Sequence, residues 1–400
     1  MNTKIKSLLA LAVVPVAFLS PASADIVSVE DRLTRLEAAL ERIEARMNDP
    51  VPAASLAPVR EELTALSKDL GWNGKSASAL VRPGAKTKAL SVGGFLHLHA
   101  ESDGTPDARY NGLNSRFIVR RARLTVKGTF AENFDFTMQS DFGANTLGSA
   151  SGYRAQLTDL FVGWNKHPAA RVQLGQFKVP FGYEQLLSDT KTLTVERSLP
   201  NDRLTLGRQI GLGLSGTVAD KRVSYSAGVF NGNGVNNGAN DNNQFLTAAR
   251  ASAVLWKNGP DGLTFGANAL TGRETGASFT GRRTAWGVDA QLALRGWELE
   301  GEYLHLEMDR DSGADTLSSG WYLQAARTID AAKLWQAVVR FENYDANTAL
   351  ANQVSENWMF GVNYRMKGDD IKLTLGWLLG DPAGSAGSDG RLLSRFQLIF

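Results

Sequence analysis

The sequence predicts an all-β protein: a 16-stranded antiparallel transmembrane β-barrel preceded by an N-terminal helical coiled-coil segment. Three observations carry this expectation. From Ser91 to Phe400, apolar residues alternate with polar or small ones in stretches of strand length. The connections between stretches alternate short and long, and the last stretch ends on an aromatic residue. Composition agrees, with Gly 40 and 9% aromatics, more than a helical protein needs and suited to many turns and strands. With 43% hydrophobic residues the chain is not disordered, and without cysteine it is neither a disulfide scaffold nor a thiolate site. Lys+Arg 43 against Asp+Glu 41 leaves no basic field to attract nucleic acid.

Residues 1–24 read as a secretory signal peptide, with Lys4 and Lys6 ahead of an apolar run, Leu8 to Leu19, and Ala22-Ser23-Ala24 as cleavage site. The run is too short to span a hydrocarbon core of about 30 Å. Removing Lys4 and Lys6 leaves 41 basic against 41 acidic side chains, so charge selectivity has to be local.

Residues 25–48 carry Ile26, Val29, Leu33, Leu36, Leu40, Ile43 and Met47 at alternating spacings of three and four, the a and d positions of a short coiled coil. Leucine at a with β-branched residues at d leans toward trimers or tetramers; the alternative is an amphipathic helix packed on its own domain. Pro50, Pro52 and Pro58 end the helix. Residues 49–90 read as a linker with a short helix, and 91–400 as the barrel.

Strand stretches begin near residues 91, 115, 132, 154, 170, 207, 221, 245, 262, 282, 297, 319, 332, 354, 370 and 391. Period two puts Leu392, Phe396 and Leu398 on one face and Arg391, Arg395 and Gln397 on the other. Likewise Trp297, Leu299 and Tyr303 oppose Glu298, Glu300 and Glu302. Tryptophans near stretch ends, from Trp164 to Trp377, suit interfacial girdles. Arg120 breaks the alternation, sharing parity with Ala122 and Leu124 on the lipid face; it needs a bulge, the interface or a subunit contact. A barrel of this strand number is too wide for its side chains to fill and encloses an aqueous channel.

Phe117-Ile118-Val119-Arg120-Arg121-Ala122-Arg123-Leu124 resembles the F-x-x-R-R-A-R-L signature of the phosphate-selective porin O and P family. Gly175 to Glu184, GQFKVPFGYE, resembles that family's G-Q-F-K-x-P-F-G-x-E segment, and Glu196-Arg197-Ser198-Leu199 with Arg208-Gln209-Ile210-Gly211 its next block. The resemblance covers residues 91 to 400. It implies an outer-membrane porin of a Gram-negative bacterium, a homotrimer with one pore per subunit and a third loop folded inward as the constriction. Such proteins also carry N-terminal coiled coils, here expected in the periplasm. The expected partners are further copies of the chain, outer-membrane lipid and lipopolysaccharide, the barrel assembly machinery and small anions such as phosphate.

Candidates for the anion path are Lys178, Lys191, Arg197, Arg203 and Arg208 in and around the long connection Lys178 to Leu206, with Arg121 and Arg123. Glu184, Asp189, Glu196 and Asp202 interleave them, so the same residues suit salt-bridged scaffolding equally well. The lumen wall is expected to carry Arg340, Arg365, Arg391, Arg395, Glu298, Glu300 and Glu302. The three glutamates oppose an anion-only pore unless paired with Arg340, Arg365 or Arg391. His97 and His99 share a face and read as polar lumen residues rather than metal ligands, and Asn231 to Asn243 as a flexible extracellular loop. No G-x-S-x-G, Walker A or H-E-x-x-H pattern appears, and neither an enzyme nor a cofactor is expected. The alternatives are a broad-specificity porin, or a barrel anchor whose coiled coil tethers the outer membrane to periplasmic partners.

Overall fold

The computed structural model describes residues 87–400 apart from 145, 146, 148–152, 277, 278, 385 and 386. The expected signal peptide, the coiled coil and residues 49–86 of the linker lie outside the described residues. Sixteen strands follow in order: β1 Thr87–Glu101, β2 Arg116–Phe130, β3 Phe134–Asp141, β4 Gln156–His167, β5 Ala170–Lys178, β6 Arg208–Val218, β7 Val223–Phe230 and β8 Leu246–Asn258. They continue as β9 Asp261–Thr275, β10 Thr280–Leu294, β11 Trp297–Arg310, β12 Thr316–Thr328, β13 Trp335–Asp345, β14 Val354–Asp369, β15 Ile371–Asp381 and β16 Asp389–Ile399. Each pairs antiparallel with its neighbours in sequence, and β1 pairs with β16 to close the barrel. No helix among the described residues is long and apolar enough to cross a membrane; a barrel crosses with strands.

The short connections lie at 131–133, 168–169, 219–222, 259–260, 295–296, 329–334 and 370, all at one end. Ala131 (φ 44), Glu132 (φ 63), Ala219 (φ 52), Asp220 (φ 55) and Arg295 (φ 50) adopt left-handed backbone there. Such turns match the twist of the strands they join. At the other end the connections are longer, though those at 276–279 and 311–315 are shorter than the sequence suggests. The strands β9, β10 and β11 run to 14 or 15 residues and absorb chain that reads as loop. β1 likewise begins at Thr87, four residues early, because Thr87 and Ala89 find partners in Phe130 and Thr129.

The two faces follow period two. Leu392 and Phe396 of β16, Leu375 and Trp377 of β15, and Trp358 and Phe360 of β14 are exposed on the outside, while Arg391, Arg395 and Gln397 are buried on the inside. Trp256, Trp286, Trp297, Trp321 and Trp335 are also exposed. In a chain folded in water this would be an aggregation surface; against hydrocarbon it is the wall.

Arg120 resolves the break in alternation. In the β1–β2 ladder His97 pairs with Arg121 and Leu98 with Val119, leaving Arg120 as the extra residue of a bulge. The bulge turns Arg120 and Arg121 inward together, and both are buried.

Closure depends on close backbone approach. Gly94 N–H donates to the Phe400 carbonyl at 2.9 Å and Phe400 N–H returns the bond at 3.0 Å. A Cβ on Gly94 would lie 2.1 Å from the Arg123 carbonyl oxygen and 2.8 Å from the Phe400 ring. Gly94→Val is therefore expected to strain the seam by about 1–3 kcal/mol. The temperature at which the folded, fast-migrating gel band converts to the unfolded one should fall, and an unchanged temperature would contradict the seam's role.

Candidate functional site

The connection between β5 and β6, residues 179–207, turns into the barrel instead of standing clear of it. Gly182 (φ 81) permits the inward turn, followed by a helical turn at Tyr183–Leu186 and a second at Leu199–Leu204. Ser198 caps the second by accepting from Asn201 N–H, and Pro200 occupies its first turn.

Both ends of the connection sit on apolar wall. Val179, Phe181 and Leu204 pack with Phe177, Phe230, Leu246, Leu270, Leu304 and Leu306, inward residues of β5, β7, β8, β9 and β11. Its middle is held by polar side chains of the next strands round the barrel. Glu342 of β13 accepts from Leu199 N–H at 2.9 Å, and Asn363 of β14 donates to the Leu193 carbonyl at 2.9 Å. Lys372 of β15 donates to the Thr192 carbonyl at 3.2 Å, and Gln397 of β16 to that of Thr190 at 3.1 Å. A buried backbone without partners would cost free energy at each of these groups; here the wall supplies them.

Two buried carboxylates form the centre of this attachment. Asp189 meets Arg197 at 2.8 Å, Arg121 at 3.4 Å and also Arg123. Glu196 meets Arg120 at 2.7 Å, Arg121 at 3.7 Å and Arg395 at 3.8 Å. Burial pushes the Asp189 carboxyl up, but Arg121, Arg197 and Arg123 outweigh it and hold it well below the usual carboxylate range. Burial likewise acts against Glu196, and Arg120, Arg121 and Arg395 hold it well below that range too.

The candidate basic residues are thus mostly engaged. Lys178 Nζ donates to the carbonyls of Gln185 at 2.7 Å and Leu187 at 2.9 Å, bracing the first helical turn. Lys191 is exposed and meets Asp369 at 2.8 Å. Arg197 also donates to the Glu184 and Leu187 carbonyls. Arg208 grips Asp159 with two bonds of 2.9 and 3.0 Å, and Arg123 also meets Asp141 at 2.8 Å. Arg203 is exposed and makes no hydrogen bond or ion pair among the described residues.

On the wall, Arg340 meets Glu342 at 3.3 Å and Glu184 at 3.4 Å and donates to the Glu196 carbonyl. Arg391 meets Glu101 at 3.2 Å and binds the carbonyls of Gly104 and Leu113. Arg395 donates to His99 Nε2 at 2.9 Å and to Thr192 Oγ1 at 3.0 Å, and Arg365 donates to Gln336 at 2.7 Å. None of these arginines reaches Glu298, Glu300 or Glu302. Those three carboxylates accept instead from neutral donors: Glu298 from Gln336 at 2.8 Å, Glu300 from Tyr183 Oη at 3.2 Å and from Gln324, and Glu302 from Tyr183 N–H at 2.5 Å. His97 bonds Gln397 at 2.9 Å, so both histidines belong to the polar wall beside β16.

Sequence reasoning missed Asp107 and Arg109 of the first long connection. Arg109 joins Asp107 at 2.7 Å to Glu342 at 3.3 Å, and so ties a second inward-folded segment to β13. A three-residue helical turn in a loop carries no periodicity that would reveal it. Tyr183 was legible only as part of the family-like segment, and its contact with β11 is set by the path of the chain.

Two outcomes are expected. Glu196→Gln leaves Arg120 buried without a carboxylate and Arg121 with Asp189 alone, a change that costs about 3–5 kcal/mol. The connection should loosen, seen as noisy single-channel current and new tryptic cleavage at Lys191 or Arg197; a quiet, protease-resistant variant would contradict the attachment. Because the Asp189 and Glu196 values are depressed in the folded state, their stabilisation is complete above the ordinary carboxylate pKa of about 4 and is lost as pH falls through the depressed values. Channel current should stay steady from neutral pH to about 4 and fail only in stronger acid; failure at pH 5–6 would contradict it.

Residues 95–275 match the family described as Phosphate-selective porin O and P. Among solved structures, the chain is similar to an anion-selective porin from Comamonas acidovorans at 12% identity, covering 78% of this chain and 99% of that one with a TM-score of 0.57. The outer membrane channel DcaP of Acinetobacter baumannii matches at 12% identity over 80% of this chain and 99% of that one, TM-score 0.58. OprB of Pseudomonas putida matches at 10% identity over 79% and 94%, TM-score 0.57. At such identities the likeness speaks for the fold. No curated protein matches the chain. Over residues 95–275, then, the chain is similar to the family described as Phosphate-selective porin O and P, and its described residues close a sixteen-stranded antiparallel barrel.

Proposed function

We propose that the protein is a water-filled outer-membrane channel for small hydrophilic solutes, anions such as phosphate among them, with residues 179–207 as its constriction. The observation that carries this reading is the polar and apolar attachment of that connection across the inner wall of a barrel too wide to be filled by its own side chains. A preference for anions is supported by charge placement: Arg120, Arg121, Arg123, Arg197 and Arg395 gather round Asp189, Glu196 and Asp141, an excess of guanidinium over carboxylate. The preference is modest, since a filter for a doubly charged anion needs several unpaired cations to replace hydration, and nearly every candidate is paired.

The molecule is further proposed to self-associate, as a homotrimer, in the outer membrane, with its N-terminal segment in the periplasm and lipid, lipopolysaccharide and the assembly machinery as partners. OmpT of Vibrio cholerae, a similar solved structure, is known in a trimer form. Strict phosphate selectivity is a second reading, favoured by the family match and by Arg203, exposed and without a bonded partner among the described residues.

Planar-bilayer measurement separates the two. The expected result is stepwise conductance with a small reversal potential on the anion side of a KCl gradient, and no saturating block of chloride current by phosphate. Saturating block would establish the phosphate filter, and cation preference would overturn the anion claim.

A further inference from the structure

Glu298, Glu300 and Glu302 stand on the inner face of β11, opposite Ala326, Gln324 and Tyr322 of β12 in register. Glu298 and Glu300 are half-buried and open to the lumen, while Glu302, Tyr322 and Gln324 lie behind them at 2–3% exposure. None of the three glutamates has an ion-pair partner among the described residues. The nearest guanidiniums are committed elsewhere: Arg250 to Asp289 through two bonds, and Arg340 to Glu342, Glu184 and the Glu196 carbonyl.

The cluster also has acceptors left over. Gln324 Nε2 donates to Glu300, but Gln324 Oε1 has no partner, and neither does the hydroxyl of Tyr322, a fully enclosed side chain in the field of Glu184, Glu300 and Glu302. Every donor at the mouth is already engaged: Tyr183 Oη on Glu300 and Gln336 on Glu298. Apart from the Tyr322 hydroxyl, which can donate as well as accept, the site offers carboxylate and amide oxygens, and it is complementary to a ligand rich in donors.

We propose that this patch of β11 and β12 is a subsite for the ammonium group of a permeating solute, so that the pore holds a cationic end on this wall while the guanidinium-rich wall of β2 and β16 lies elsewhere round the lumen. An ammonium presents three N–H donors and matches Glu300, Gln324 Oε1 and the outer oxygen of Glu298. A bare divalent metal fits poorly. It requires six or more oxygens at short range, and no group of three or more His, Cys, Asp or Glu among the described residues is placed to hold a metal. The inference rests on the channel reading and names one chemical feature of what passes.

The test uses the full chain in planar bilayers with putrescine dihydrochloride as probe. Wild-type channels should show concentration-dependent block by putrescine, weakened about tenfold in Glu300→Gln. Gln324→Lys places an ammonium in the site from the protein's own chain and should abolish block in channels that still open. Magnesium chloride at equal concentration should block far less. Wild-type channels that open but are not blocked, Glu300→Gln or Gln324→Lys channels blocked as strongly as wild type, or equal block by magnesium would each overturn the ammonium subsite and leave the channel standing. A wild-type protein that opens no channels would overturn the channel reading itself, and the subsite with it.

Discussion

Two carboxylates taken out of water, Asp189 and Glu196, set the interior of this barrel. Each is buried at a cost of several kcal/mol that only close guanidiniums offset. The guanidiniums come from β2, β16 and the connection itself, which brings distant parts of the chain to one point. The β2 bulge follows from this need: without the extra residue at Arg120, only one of Arg120 and Arg121 would face inward. The aromatic and aliphatic packing of Phe181 and Leu204 then seats the ends of the connection on the opposite arc of wall.

This arrangement distributes charge unevenly round the lumen. The arc of β1, β2 and β16 concentrates arginines, most of them already bonded to the connection, while the arc of β11 and β12 presents carboxylates bonded only to neutral groups. A solute crossing such a pore experiences a field across its path as well as along it. The basic residues therefore act first as structure, and their remaining influence on permeation is the long-range field of an incompletely neutralised cluster. That is why a near-neutral protein is compatible with a modest anion preference and at the same time with a patch for cationic groups.

The barrel wall is legible in the amino-acid order alone. Sixteen stretches of period-two alternation, with short and long connections in turn, specify strands whose two faces meet lipid and water, because a strand's side chains alternate whatever its partners are. Arg391, Arg395, Glu298, Glu300 and Glu302 were assignable to the inner face on that ground alone, and Arg120 was recognisable as an anomaly requiring a bulge. Which charges remain unpaired depends on the folded path of the chain. Asp189 with Arg123, Glu196 with Arg395 and Glu184 with Arg340 are contacts between segments far apart in the chain, made by a connection without periodicity whose path is fixed by what it packs against. Five basic residues interleaved with four acidic ones are equally compatible, as sequence, with a filter and with a brace. The geometry of the closed barrel engages most of them, and Arg203 and the β11 glutamates Glu298, Glu300 and Glu302 are among the charges with no ion-pair partner among the described residues.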